Sequence, residues 1–266
     1  MVENRGMTNR WLLSLAGLLV ATAALSEPAD FGLTFEPRPF PVPATPTLPD
    51  PDLYPIQLVL DDDQAEGVFG FAGSTARQFL WFQRFDGPEP FILKEIWVLF
   101  PSEMDAPLGG DVQLVVYRDP DGDPSNGAEL LATYDAAIQA ADGDTFSIYP
   151  LSPELEILGP GDVLIGVVNR FFDTGVDPPT RPAALDTTDS QGRAWFALWT
   201  GDPPPSPELD GALVIDVLDG AVSGNWMIRG FGTPVPVVAI PTLGGAALAF
   251  LALLLAAAAA ARLHRR

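Results

Sequence analysis

The chain has no cysteine, one histidine and one lysine in 266 residues. Without cysteine there is no disulfide framework, no thiolate nucleophile and no sulfur-based metal site. The histidine, His264, lies in the basic C-terminal tail, so no imidazole is left for a Ser-His-Asp triad or a zinc centre. A serine flanked by small residues occurs in "FAGSTAR" (71–77), but it lacks the G-x-S-x-G elbow. Paired carboxylates of the glycosidase kind remain, yet 35 acidic residues offer so many pairs that none stands out. These absences point to a non-catalytic protein and leave a carboxylate-based glycosidase as a distant alternative.

Positive charge is also scarce. Fourteen basic residues face 35 acidic ones, a formal net charge of −21. Phosphate backbones and anionic headgroups are bound by Lys and Arg, so this surface excludes nucleic acid and repels acidic lipid. It suits solubility or the binding of cations.

What is present begins with two apolar ends. Arg5 and Arg10 precede the run Trp11 to Leu25, and small residues follow, with Ala24 and Ser26 placed for cleavage between Ser26 and Glu27. This is the layout of a secretory signal peptide over residues 1–26. At the other end, residues 243–261 carry no charge and span roughly 28 Å as a helix, about the thickness of a bilayer core. Arg262, Arg265 and Arg266 follow, which orients the C-terminus to the cytoplasm and the body to the periplasm.

Between the ends, residues 27–55 carry proline every two or three positions and read as an extended linker or a loosely attached edge segment. Residues 56–233 read as β throughout. "RQFLWFQRF" (77–85) puts Phe79, Trp81 and Phe85 on one face, and "FILKEIWVLF" (91–100) is apolar at nearly every position. Further strands are expected at 111–118, 145–151, 162–170, 194–200, 212–218 and 225–231, separated by Gly, Pro and Asp clusters such as "DPPTRP". The window 127–141 fits either a turn of helix or a strand. No repeat is visible, so the expectation is one all-β domain, an antiparallel sandwich.

The succession "FQRF", "IWVLFP", "VQLVVYRDPDGDPSNGAELLATY", "DVLIGVV" and "GNWMIRGFG" resembles a jelly-roll-like sandwich common in secreted bacterial proteins. That resemblance implies the fold and no particular activity.

Two features could carry binding. In "RDPDGDPSNGAE" (118–129), Asp119, Asp121 and Asp123 alternate like the first carboxylates of a calcium loop. Pro124 and Leu130 stand where an EF-hand needs glycine and a bidentate acid, so the segment reads as an irregular calcium site or as a hairpin loop built for turn geometry. "DDD" (61–63) and "DGD" (142–144) are weaker versions of the same pattern. Trp195 and Trp199 share a strand face and fit either a sugar-stacking platform, in a carbohydrate- or matrix-binding module, or ordinary core packing. No glycan-binding residue is singled out.

Ile240-Pro241-Thr242-Leu243, the apolar run and the terminal arginines together resemble the IPTL-CTERM sorting signal of Gram-negative bacteria. The family often has Trp-Gly where Ala246-Ala247 stand here. The resemblance implies a partner, an exosortase-type enzyme that processes the tail, and delivery to the cell surface or beyond. An ordinary single-span anchor is the competing reading of residues 234–266.

Overall fold

Alternation along the strands decides the architecture, because side chains two residues apart share a face. The computed structural model describes residues 33–38, 40, 48–71, 78–87, 90–169, 180–200, 206–236, 252–255 and 261–264. The strands are β1 (Leu33–Pro37), β2 (Ile56–Leu58), β3 (Gly67–Phe71), β4 (Gln78–Phe85), β5 (Phe91–Leu99), β6 (Asp111–Asp119) and β7 (Glu129–Ala137). They continue as β8 (Phe146–Ile157), β9 (Asp162–Asn169), β10 (Thr180–Asp186), β11 (Ala194–Trp199), β12 (Val214–Val217), β13 (Asn225–Trp226) and β14 (Ile228–Pro234).

One layer is a six-stranded sheet in the order β12-β11-β4-β9-β6-β7. The other consists of two four-stranded sheets, β1-β3-β10-β13 and β2-β14-β5-β8. All pairings among the described residues are antiparallel. Met227 joins the two smaller sheets. Its N–H donates to the Ala184 carbonyl of β10, and its own carbonyl accepts from Leu99 of β5. The chain thus passes from β13 to β14 without leaving the layer.

The main core lies between the layers. A row of facing side chains, Leu114–Val167–Trp81–Phe196, crosses four strands of the large sheet in register. It packs with Phe69 and Phe71 of β3, Leu93 and Ile96 of β5, and Trp226. The opposite face of the large sheet is apolar too, with Leu80, Phe82, Tyr117, Leu164 and Trp199 buried under Leu209. Gly166 sits in that outer face, where a Cβ would stand 2.6 Å from the Phe82 Cβ and 2.9 Å from the Trp81 carbonyl oxygen. The glycine leaves the room in which Phe82 and Trp195 stack, their ring centroids 6.5 Å apart.

The structure decides between the open readings of two segments and differs at a third. Within the proline-rich stretch, Leu33–Pro37 forms the edge strand β1 against β3. The window 127–141 contains strand β7, preceded by a short 3-10 turn at Pro124–Asn126. "DPPTRP" was expected as a turn, yet its last three residues open β10. The register between β10 and β3 shifts between Thr180 and Ala183, and such an irregularity accommodates Pro182, which has no N–H for the ladder.

Candidate functional site

Two groups of carboxylates gather at loop ends. In the first, the run Asp61-Asp62-Asp63 between β2 and β3 splits by alternation. Asp61 and Asp63 both accept from the Arg229 guanidinium, while the Asp62 N–H donates to Asp186 Oδ2 at 3.1 Å. Thr188 braces this side, its hydroxyl lying 3.0 Å from Asp62 Oδ2 and 2.7 Å from Asp186 Oδ1. Glu66 Oε2 accepts from the Thr187 N–H at 2.8 Å. One carboxylate oxygen from each of Asp62, Glu66 and Asp186 lies within 4.8 Å of the others, an arrangement compatible with a hard cation.

Burial raises the Glu66 and Asp186 carboxyls above their usual values, and neighbouring carboxylates push in the same direction. A raised folded-state value means the fold holds these protons more tightly than the unfolded chain does. Their ionisation therefore costs stability above the raised values, and the cost fades as pH falls toward the unfolded values of 4.5 for Glu66 and 3.8 for Asp186. Glu66→Gln should accordingly raise the melting temperature in chelator at pH 7, by about 1–3 °C. The gain should shrink as pH falls and be gone below the unfolded value of 4.5. A gain of equal size at pH 7 and below 4.5 would remove charge as its cause.

The second group is the loop after β6. Asp119, the last residue of that strand, is fully buried, and its Oδ1 accepts from the Gly122 N–H at 3.1 Å. Asp121 is exposed, accepting from the Asp123 N–H at 3.2 Å and from Asn126 Nδ2 at 2.8 Å. The Asp123 carboxylate instead caps the 3-10 turn, receiving the N–H and hydroxyl of Ser125 at 3.1 and 2.5 Å. Glu129 is committed to Arg118. The structure therefore brings Asp119 and Asp121 together, within hydrogen-bonding reach of each other, and turns Asp123 aside. Burial and the nearby Asp121 raise the Asp119 carboxyl, whereas Asn126 and the Asp123 N–H lower that of Asp121.

The tryptophans serve mainly as core. Trp81, Trp199 and Trp226 are 1% exposed or less, and Trp97 is 6% exposed. Trp195 and Trp199 do share the outer face of the large sheet, but the indole N–H of Trp199 donates to the Glu208 carbonyl at 3.3 Å beneath the covering segment. Among the described tryptophans only Trp195 keeps part of its surface open. A cleft of about 440 Å³ opens nearby, lined by Ser125, Asn126, Asp210 and Leu213.

Ser26, Glu27 and Ile240 to Leu243, the residues expected at the cleavage and sorting points, lie outside the described residues. Residues 252–255 and 261–263 are helical, with Leu253, Leu254, Leu255 and Leu263 exposed. Among the described residues no helix is long and apolar enough to cross a membrane.

Fold and loops define the class, a mostly β protein of antiparallel sheets packed as a sandwich. Comparison with known proteins adds the tail, since residues 238–266 match the IPTL-CTERM motif. That C-terminal signal implies an exported, surface-sorted protein. No curated protein matches the chain. Two solved structures are similar in part. One is the crystal structure of the cysteine protease and lectin-like domains of Cwp84, a surface layer associated protein of Clostridium difficile, with 12% identity and a TM-score of 0.43. It covers 68% of this chain and 36% of that one. The other, the clostridial cysteine protease Cwp84 after propeptide cleavage, has 13% identity and a TM-score of 0.40, covering 60% of this chain and 37% of that one. The chain thus spans little more than a third of either.

Proposed function

We propose that this is an exported, non-catalytic, jelly-roll-like sandwich, tethered by its apolar tail and processed at Ile240–Leu243 by an exosortase-type enzyme of the inner membrane. The observation that carries the reading is the IPTL-CTERM match over 238–266, which begins four residues after the last strand ends at Pro234. After that strand, Pro236 and Pro241 lack the N–H that helix and ladder pairing need, and a sequence that favours extended chain is what a processing site can grip. One observation supports the non-catalytic part: the body has no histidine or cysteine.

Mass spectrometry of the protein recovered from cells with an active exosortase reads the outcome directly. The expected product lacks residues 244–266, and deletion of the exosortase restores them. Recovery of a chain ending at Arg266 from the exosortase-positive cells would sink the proposal.

A further inference from the structure

We infer that Asp119 and Asp121 form a low-affinity calcium site that ties the end of β6 to the loop leading into β7. The inference is independent of the sorting tail and rests on one oxygen. Asp119 is fully buried, yet its Oδ2 has no hydrogen-bond partner among the described residues. The group standing beside it is another carboxylate, that of Asp121. A buried carboxylate oxygen without a donor is costly, and a like charge next to it adds to the cost. A proton, a bridging water or a cation between the two relieves the cost, and a cation relieves most of it.

The surroundings favour a hard cation. Gly122 turns back at φ +77° so that its N–H reaches Asp119 Oδ1, which fixes the carboxylate with Oδ2 left over. Asn126 and the Asp123 N–H hold Asp121 in place, and its exposure leaves room for water to complete the six to eight oxygens that calcium takes. Arg84, the nearby cation, gives its guanidinium to the Gly122 carbonyl and lies 3.6 Å from Asp162, so it does not neutralise Asp119 Oδ2. The Asp62–Glu66–Asp186 group differs here. Both oxygens of its buried member, Asp186, already accept from Thr188 and Asp62.

Two carboxylates and water make a weak site, in the range of about 10⁻⁴–10⁻³ M typical of extracellular modules. The full-length chain, stripped with EGTA and melted with and without 10 mM calcium chloride, should gain about 3–10 °C. Sodium chloride at matched ionic strength should give none of that gain. Asp121→Asn, which alters an exposed side chain and keeps the fold, should abolish the shift, as should Asp119→Asn if it folds. Asp186→Asn should retain it. An unchanged melting temperature in calcium would overturn the site, and so would a shift that survives Asp121→Asn. An equal shift in sodium chloride would assign the effect to screening of the −21 charge and overturn it too.

Discussion

Asp61→Ala should destabilise the fold by about 3–5 kcal/mol, a drop in melting temperature of roughly 6–20 °C. The side chains of Asp61 and Arg229 are both fully buried. Arg229 Nε donates to both Asp61 oxygens at 3.1 Å, its NH2 group reaches Asp61 and Asp63, and its guanidinium lies 4.3 Å above the Phe146 ring. Burial works to lower the Arg229 value, but its two aspartates more than offset that, and the guanidinium stays charged. Removing Asp61 leaves that charge in an apolar layer beside Trp97, Phe146 and Phe231, with only the half-exposed Asp63 to answer it. Arg229→Met should cost a comparable amount by stranding Asp61. The double variant Asp61→Leu, Arg229→Met should recover much of the loss, because no charge is then left buried. Urea midpoints of the three variants decide the matter. A cost below about 1 kcal/mol for Asp61→Ala would mean that water reaches the pair and would contradict its burial.

Trp226→Ala should cost about as much, roughly 3–5 kcal/mol. The ring is fully buried, edge-on to Phe69 with centroids 5.6 Å apart. It also ties the layers together through polar contacts inside the core. Its indole N–H donates to the Trp195 carbonyl of β11 at 2.8 Å, and its backbone N–H to Gln83 Oε1 of β4 at 2.9 Å. Trp226→Phe separates the two contributions. It keeps most of the apolar volume and loses the indole donor, so it should cost only about 1–2 kcal/mol. Equal losses for the alanine and phenylalanine variants would show that packing around this ring contributes little.

The strands that the sequence displays best are those whose physics is local. The large sheet's β4, β6, β9 and β11 are runs whose alternation or continuous hydrophobicity is legible without a partner. Strand β10 was not legible, because Arg181-Pro182 looks like a loop until β3 and the irregular register between Thr180 and Ala183 supply its context. The tryptophan face shows the same limit. Spacing placed Trp195 and Trp199 on one side, but only the segment carrying Leu209 decides that Trp199 is covered. The acidic groups divide likewise. The proximity of Asp119 and Asp121 follows from a tight loop and could be suspected from spacing. The approach of Asp62 to Asp186, 124 residues away, and of Asp61 to Arg229, 168 residues away, could not. Tertiary pairing brings those groups together, and one-dimensional pattern carries no trace of it.

The position of the last strand has a mechanical consequence. A chain held at its C-terminus takes load at Pro234, the end of β14, which lies between β2 and β5. The load runs along the strand, across ladder bonds set perpendicular to it. Those bonds bear the force together instead of parting one after another, and the buried Arg229–Asp61 pair pins the same strand from the side. On the proposed tethering, a pull on the tail would meet this shear geometry first.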